Sequence, residues 1–329
     1  MPKILVLDQP AHGIPTEEYI DALRERLPDA TIVHPKTTDE TLDAAGDADI
    51  ITGTYLSDDV LAAADNLRLF AGAAAGYDHL PMETLRERNI ALTNASGVHG
   101  PNVAEHVIGW LLLITRRLDE GIRRQERREW RSFQAMGELN GATVTVVGLG
   151  AIGQAVVERL DPFGVETVGV RYTPEKGGPT DRVLGFDELE SALVETDYLV
   201  LACPLTDDTR RLIDGNAFDA LPDHAVLVNV ARGGVVDTDA LVTTVQRGRI
   251  RAAALDVTDP EPLPKDHPLW NFENVFITPH IAGHTPQYFT RLAEILAENV
   301  ELLADRESAD ATLRNQILPE TPRTSSGTR

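Results

Sequence analysis

The sequence has little cysteine and no long apolar run. Cys203 is the single cysteine among 329 residues, so no disulfide can form within the chain and we expect a reducing compartment. The longest apolar-rich run, residues 107–114, is too short to span a bilayer. Residues 1–8 lack the apolar region and the cleavage site of a signal peptide. We therefore predict a soluble, cytoplasmic protein.

Positive charge is also scarce. The chain has 30 Lys and Arg residues against 52 Asp and Glu residues, which gives a net charge of −22, and only four of the basic residues are lysine. A surface this acidic repels nucleic acid and anionic membranes, so we expect neither as a partner. Because it also repels itself, we interpret the protein as halophilic, from a salt-rich cytoplasm where counterions screen the repulsion.

Metal-ligand spacing is missing as well. No group of His, Cys, Asp and Glu residues has the spacing of a zinc site, and we predict no metal. Cys203 closes an apolar strand, which favours a buried packing role, although a catalytic thiol stays open as the alternative. His106 lies on the apolar face of its helix and is interpreted as a core residue rather than a ligand.

Three glycines follow an apolar run in the middle of the chain. Residues 143–147 are Thr and Val, and the next residues, Gly148-Leu-Gly150-Ala-Ile-Gly153, have the spacing G-x-G-x-x-G. This pattern predicts a strand, a tight turn and a helix over 154–160, whose N-terminus favours a pyrophosphate. A glycine-rich turn that binds nothing is the alternative interpretation.

Short apolar strands alternate with amphipathic helices on both sides of these glycines, which predicts an α/β fold with two doubly wound parallel sheets. The first sheet is expected to be flavodoxin-like and the second to be of the Rossmann type. Further helices are expected over 101–130, which carries paired arginines, and over 286–303. The predicted strands are 4–7, 31–33, 49–52, 69–71, 90–92, 143–147, 166–170, 198–202, 225–230, 252–256 and 275–278. The predicted helices of the first sheet are 16–27, 38–45, 58–64 and 82–88.

The second strand of the Rossmann-type sheet ends in Arg171-Tyr172-Thr173. An acidic residue at this position binds the adenosine ribose in NAD sites, and the sequence has no acid there. Arg171 can bind a 2′-phosphate instead, and the Thr173 hydroxyl can assist it. We therefore predict NADP(H) as the preferred cofactor, with NAD(H) possible. A solvated surface arginine is the alternative.

Polar groups follow three successive strands of the same sheet. Arg232 comes after one strand, Asp256 ends the next with Glu261 shortly beyond it, and His280 follows the last. The carboxyl ends of parallel strands face the ligand crevice of such a sheet. Taken singly, each residue has another interpretation, namely a structural ion pair, a strand-end cap, a solvated turn acid or a loop histidine.

The motifs Gly148 to Gly153, Cys203-Pro-Leu-Thr, Asn229-Val-Ala-Arg-Gly, Ala254-Leu-Asp-Val, Pro260-Glu-Pro and Pro279-His-Ile-Ala-Gly resemble those of the D-2-hydroxyacid dehydrogenase family. The resemblance covers nearly the whole chain, including Val103-Ala-Glu-His and Gly76-Tyr-Asp. It implies a cofactor domain, residues 101–284, inserted into a substrate domain formed by 1–100 and 285–329. It also implies a homodimer, in which the arginine-rich helix pairs with acids of this chain or of a second subunit.

The expected reaction is the reduction of a 2-keto acid to a D-2-hydroxy acid, which needs a hydride, a proton and a clamp for the carboxylate. The candidate catalytic residues are His280 as proton donor, Glu261 to hold its imidazolium, and Arg232 to bind the carboxylate and the carbonyl. Asp256 either positions the nicotinamide or tunes this pair. Glyoxylate or hydroxypyruvate reduction stays open, as does a dinucleotide-sensing interaction protein similar to the C-terminal binding protein corepressors.

Small residues after the fourth strand can expose main-chain N–H groups, so Ala75 and Gly76 are predicted to bind the substrate carboxylate, with a plain turn as the alternative. His99 is expected to contact the substrate side chain. The resemblance implies a cofactor site formed by Gly148, Gly150, Ala151, Ile152, Gly153, Arg171, Tyr172, Thr173, Cys203, Pro204, Val230, Ala231, Asp256, His280 and Gly283.

Overall fold

The chain folds as two α/β units. The computed structural model describes residues 2–8, 11–77, 79–132, 136–304 and 312–319. One unit is formed by Met1–Val98 with Thr285–Arg329, and the other by His99–His284. None of the helices in these described ranges is long and apolar enough to cross a membrane.

The first unit begins with short buried strands that alternate with helices. Its strands are runs of Val, Ile, Leu and Phe, as expected for parallel strands covered on both faces. At the start of its second helix, Thr37 Oγ1 accepts from the main-chain N–H of Glu40, and the Glu40 carboxylate accepts from that of Thr37, each at 3.3 Å. The elements are β1 (Lys3–Val6), α1 (Thr16–Arg26), β2 (Thr31–Val33), α2 (Thr38–Ala45), β3 (Ile50–Gly53), α3 (Asp58–Ala63), β4 (Leu69–Gly72), α4 (Met82–Glu87) and β5 (Ala91–Thr93).

The second unit has a longer parallel sheet. Its elements are α5 (Gly100–Thr115), α6 (Leu118–Glu126), β6 (Thr143–Val147), α7 (Ala151–Leu160), β7 (Glu166–Val170), β8 (Arg182–Leu184), α8 (Leu189–Val194), β9 (Tyr198–Leu201), α9 (Gly215–Ala220), β10 (Val226–Asn229), α10 (Thr238–Gln246), β11 (Ala252–Leu255) and β12 (Val275–Ile277). The strand order is β12-β11-β10-β9-β6-β7-β8. The order reverses between β6 and β9, which is the position of the ligand crevice in doubly wound sheets.

Each of the six strands predicted for this sheet is present, and β8 is an additional strand. β8 pairs with β7 alone, at the sheet edge, and has three residues beginning with a charged one. A segment this short gives no periodic signal. The fold class predicted from the sequence, two doubly wound parallel sheets, is confirmed.

Apolar cores cover both faces of the second sheet. Along β10, Val226 and Val228 pack into one hydrophobic cluster and Leu227 into the cluster on the opposite face. Burying one such side chain contributes about 1.5–3 kcal/mol, so the central strands are held firmly from both sides. The loops that follow these strands therefore project from a rigid edge.

The single helix predicted over 101–130 is wrong. The structure has two helices, α5 and α6, separated at Arg116 and Arg117. Arg117 adopts a left-handed conformation with φ of 51°, which ends α5 and redirects the chain into α6. Both residues have high helix propensity, so the sequence carries no local signal for this break.

Two elements from the end of the chain complete the first unit. They are α11 (Tyr288–Ala304) and β13 (Gln316–Leu318), and the strand order becomes β13-β5-β4-β3-β1-β2. The ring of Phe289 on α11 stacks on Tyr19 of α1 with centroids 5.3 Å apart, and the Tyr288 hydroxyl donates to the Ala73 carbonyl. β13 was not predicted; it pairs antiparallel to β5 and has only three residues.

Candidate active site

The glycine-rich turn between β6 and α7 has the shape of a phosphate cradle. Gly148 has a φ of +98°, and a Cβ there would lie 2.6 Å from the backbone of Cys203. A Cβ on Gly153 would lie 1.9 Å from the Gly148 carbonyl oxygen, so the helix packs against the turn only with glycine there. A Cβ on Gly150, in contrast, would meet nothing within 4 Å. The turn therefore leaves open space beside the start of α7, at Ala151 and Ile152, which fits a pyrophosphate.

A cleft of about 470 Å³ extends from this turn to the end of β7. Arg171 and Thr173 line it, together with Tyr172, whose side chain is 75% exposed. Arg171 Nη1 donates to the Gly177 carbonyl oxygen at 2.5 Å, which places the guanidinium over the loop after β7. The dimensions and the donor set of the cleft fit the adenosine end of a dinucleotide.

Lys176 also lines this cleft, and the sequence analysis missed it. It ends a single 3-10 turn, Pro174–Lys176, that folds the loop back toward Arg171. A lysine five residues after an arginine on a loop could have been noticed as a second cation for a phosphate. Asp208, on the loop after β9, is an acid among the lining residues.

Cys203 and Pro204 lie at the end of β9 on the floor of the same cleft. The Cys203 side chain is buried, and burial raises the pKa of its thiol to about 11. The thiol therefore stays protonated at neutral pH, and the thiolate needed for nucleophilic catalysis does not form. The packing role expected from the sequence agrees with this environment.

The loop after β10 carries Arg232. Asn229, at the end of the strand, is buried, and its side chain accepts from the Ala231 N–H at 3.0 Å and donates to the Arg232 carbonyl at 3.1 Å. Val230 and Ala231 are buried, whereas Arg232 is exposed and its Nη1 donates to the Ala231 carbonyl oxygen at 2.7 Å. A tightly held loop thus presents a guanidinium at the carboxyl edge of the sheet.

His280 and Glu261 are in direct contact. His280 Nδ1 donates to Glu261 Oε1 at 2.6 Å, and about half of each side chain is exposed. Because the carboxylate accepts from Nδ1, it fixes the ring orientation, and Nε2 is the nitrogen from which a proton can be delivered. The sequence named both residues, and the structure brings them together.

Asp256 lies beneath the loop that carries His280. Its side chain is 3% exposed, and its oxygens accept from Thr278 Oγ1 at 2.7 Å, from the Ile281 N–H at 2.9 Å and from the Ala282 N–H at 3.0 Å. Its main-chain carbonyl oxygen accepts from the His280 N–H at 2.8 Å. These contacts are those of the strand-end cap that the sequence left open, and both the tuning of the His280–Glu261 pair and a contact with the nicotinamide stay predictions.

The remaining candidate residues lie in separate places. His99 Nδ1 donates to the Gly283 carbonyl oxygen at 2.9 Å, so it too supports the His280 loop. Ala75 and Gly76 are exposed on the loop after β4 of the first unit, where the Ala75 carbonyl accepts from Asn94 at 2.6 Å. Asp78 lies outside the described residues. Substrate contacts by Ala75, Gly76 and His99 stay predictions.

In the part of the chain that the structure describes, no group of three or more His, Cys, Asp or Glu side chains could hold a metal ion. The groups at this edge of the sheet are a carboxylate-paired histidine, a guanidinium and a glycine-rich cradle. Arg232 follows β10, Glu261 follows β11 and His280 follows β12, and these three strands are neighbours.

Known proteins resemble the chain over nearly its whole length. The profile of the D-isomer specific 2-hydroxyacid dehydrogenase family, NAD binding domain, matches residues 108–282. The D-3-phosphoglycerate dehydrogenase of Methanocaldococcus jannaschii is 34% identical over 325 residues, which are 97% of this chain but 61% of that protein, less than two thirds of its length. The glyoxylate reductase of Thermofilum pendens is 36% identical over 272 residues, 80% of each protein.

A solved structure gives the same result. The NADPH-dependent glyoxylate/hydroxypyruvate reductase of Sinorhizobium meliloti, crystallised with citrate, has a TM-score of 0.72 and 26% identity. The match covers 97% of this chain and 98% of that one. The similarity therefore includes both units.

Proposed function

Because the chain belongs to the family of D-isomer specific 2-hydroxyacid dehydrogenases, we propose that it reduces a 2-keto acid to the D-2-hydroxy acid with NADPH. The observation that carries the proposal is the 2.6 Å contact between His280 Nδ1 and Glu261 Oε1 at the carboxyl edge of the dinucleotide-binding sheet. A proton donor at this edge is what ketone reduction requires.

Arg232, His280 and Glu261 have different proposed roles in the reaction. Arg232 binds the substrate carboxylate and polarises the keto oxygen, since its planar guanidinium can donate to both. When bound, the nicotinamide cofactor supplies the hydride that C2 accepts. His280 delivers the proton from Nε2 to the keto oxygen, and Glu261 stabilises the imidazolium until that transfer. The product is the D-2-hydroxy acid. Its hydroxyl proton comes from His280, which then takes up a proton from solvent.

The preference for NADPH over NADH rests on Arg171, supported by Lys176 and by the lack of an acid at the end of β7. The similar reductase from Sinorhizobium meliloti is named as NADPH-dependent. We propose glyoxylate and hydroxypyruvate first among small substrates. The Thermofilum pendens protein is named as a glyoxylate reductase, and the Sinorhizobium meliloti protein is named as a glyoxylate/hydroxypyruvate reductase.

Two further statements belong to this proposal. A second copy of the chain is proposed to bind at α6, where Leu118 and Ile122 are 51% and 56% exposed. A cytoplasmic location in a salt-rich cell rests on the single cysteine and the net charge of −22.

The test is cofactor oxidation by the purified protein with a panel of 2-keto acids. We expect NADPH consumption with at least one of them, and His280→Ala should lower kcat by about 10²–10⁴-fold. The NADPH Kd, measured by fluorescence, should change little. His224→Ala is the matched control, because His224 also contacts a carboxylate, Asp197 Oδ1 at 2.8 Å, but next to the start of β9.

Full turnover in His280→Ala contradicts the proton-donor assignment. A wild-type protein that binds NADPH tightly yet consumes none of it with any 2-keto acid contradicts the enzyme proposal and favours the dinucleotide-sensing alternative.

A further inference from the structure

A continuous series of polar contacts joins α5 to the loop that carries His280. Trp110 Nε1 donates to His106 Nε2 at 2.9 Å, and His106 Nε2 lies 3.1 Å from Thr278 Oγ1. Thr278 Oγ1 is 2.7 Å from Asp256 Oδ1, and the Asp256 carboxylate accepts from the N–H groups of Ile281 and Ala282, the two residues that follow His280. His106 is therefore more than the core residue expected from its position on an apolar face.

The Trp110 contact fixes the protonation of His106. The indole N–H can only donate, so His106 Nε2 must be an acceptor and the ring proton must lie on Nδ1. Burial lowers the pKa of His106, and the Asp256 carboxylate at 3.8 Å opposes this only in part. Asp256 is the charged group that the described contacts place against the ring. His106 is thus neutral near neutral pH.

A neutral His106 constrains the Thr278 hydroxyl. The hydroxyl donates its one proton to Asp256 Oδ1. His106 Nε2, whose single lone pair accepts from Trp110, lies 3.1 Å from the same hydroxyl oxygen, so the edge of the neutral ring packs against the hydroxyl and restricts its rotamer. If Nε2 carried a proton, it would face the Trp110 N–H and the arrangement would break. The hydroxyl in turn keeps the Asp256 carboxylate turned toward the main chain of the loop.

The loop needs this support because His280 has a φ of 54°. A non-glycine residue in the left-handed region costs about 1–3 kcal/mol and persists only where its surroundings hold it there. The Asp256 contacts to the His280, Ile281 and Ala282 N–H groups supply that hold. The direction of the His280 side chain toward Glu261 depends on the same backbone.

We propose that His106 is a positioning residue for the keto-acid reduction: as a neutral imidazole protonated on Nδ1, it fixes Thr278 and Asp256 and, through them, the backbone that aims His280. The inference rests on the proposed function, since it assigns His106 a part in the delivery of the proton by His280. His106 itself touches neither reactant in this role.

The experiment compares wild type with His106→Ala, His106→Gln and Trp110→Phe, and with His224→Ala as a control. The rate of 2-keto acid reduction is measured from about pH 5 to about pH 10, and the NADPH Kd is measured by fluorescence. A 15N-edited NMR spectrum of the histidine side chains reports the tautomer of His106, whose signals are identified by their loss in His106→Gln.

We expect His106→Ala to lower kcat by about 10–100-fold, as small misplacements of catalytic groups do, with an NADPH Kd close to that of wild type. The pH profile should also differ from that of wild type, because a displaced His280 ring no longer makes its 2.6 Å contact with Glu261. His106→Gln should recover most of the rate, since its amide can accept from Trp110 and contact Thr278. Trp110→Phe removes the indole N–H that donates to His106 Nε2, so the proton of the imidazole should no longer be confined to Nδ1.

A wild-type kcat and pH profile in His106→Ala, or an Nε2-protonated His106 in wild type, overturns the inference alone. So does a loss of rate in His106→Ala that is matched by weaker NADPH binding and is not rescued by glutamine, because that pattern indicates a merely structural role. Absence of turnover in wild type with every 2-keto acid overturns the proposed function, and the inference with it.

Discussion

The proposed preference for NADPH over NADH depends on single side chains at the end of β7. Replacing Arg171 by Asp removes a charge-assisted contact worth about 1.5–3 kcal/mol and adds repulsion toward a 2′-phosphate. We expect Arg171→Asp to lower the ratio of kcat/KM for NADPH to that for NADH by about 100-fold or more. Steady-state kinetics with both cofactors measure this ratio.

Arg247→Asp is the control for the change in net charge, because Arg247 is an exposed residue at the end of α10. An unchanged cofactor preference in Arg171→Asp removes the claim that Arg171 reads the phosphate. Lys176→Ala should move the ratio in the same direction by a smaller factor.

The sequence could name residues at strand ends but not the contacts that hold them. Arg171 was predictable because it ends a strand, whereas Lys176 reaches the cleft through a 3-10 turn that has no periodic signal. Asp256 was predictable as a strand-end acid, but its hydrogen bonds to Thr278 and to the His280 loop depend on how β11 and β12 are paired. Local patterns do not encode contacts between chain segments more than twenty residues apart.

At the scale of elements, α6 has an apolar face that it does not bury in the described part of the chain. Leu118 and Ile122 are one helical turn apart, and the neighbouring arginines are already paired, Arg123 with Asp119 and Arg124 with Glu120. The sequence left open whether the arginines pair with acids of this chain or of a second subunit, and these two arginines pair within the chain. The exposed apolar side chains are thus the better candidates for binding a second copy.

We expect the double substitution Leu118→Asp and Ile122→Asp to convert a dimer to a monomer, because two buried apolar side chains contribute about 3–6 kcal/mol to association. Sedimentation velocity in high salt measures the change in mass. Val194→Asp is a matched control, since Val194 is 63% exposed on α8. A wild-type protein that sediments as a monomer, or a double variant that stays dimeric, contradicts the proposed interface.

The break between α5 and α6 could not be predicted from the sequence. Residues 101–130 contain good helix formers throughout, so propensity favours one continuous helix. The left-handed Arg117 separates α5, which packs against α7, from α6, which has no fully buried residue. A position at which a residue of high helix propensity leaves the helical conformation is visible only in the structure.

At the scale of the whole molecule, the net charge of −22 should govern stability. Repulsion among exposed carboxylates is screened over about 10 Å at 0.1 M salt and over about 3 Å at 1 M, and the surface ion pairs that salt weakens contribute little. We therefore expect the thermal unfolding midpoint to rise between about 0.1 M and about 2 M KCl. A midpoint at low salt that equals or exceeds the one at high salt contradicts the halophilic interpretation.

Both sheets were predictable because their parallel strands are short apolar runs that alternate with amphipathic helices. Two of the edge strands, β8 and β13, were not predicted. Each has three residues and begins with a long polar side chain, Arg182 or Gln316, so neither is a continuous apolar run.

The division of the first unit between the two ends of the chain affects its synthesis. Tyr19 needs Phe289 as its stacking partner, and β5 needs β13, so a nascent chain of residues 1–98 leaves the ribosome without the helix and strand that finish its core. Residues 99–284 are complete first and can fold while they emerge. We expect the inserted unit to be the first folded part of the nascent protein, and the N-terminal segment to wait for about two hundred further residues before it closes.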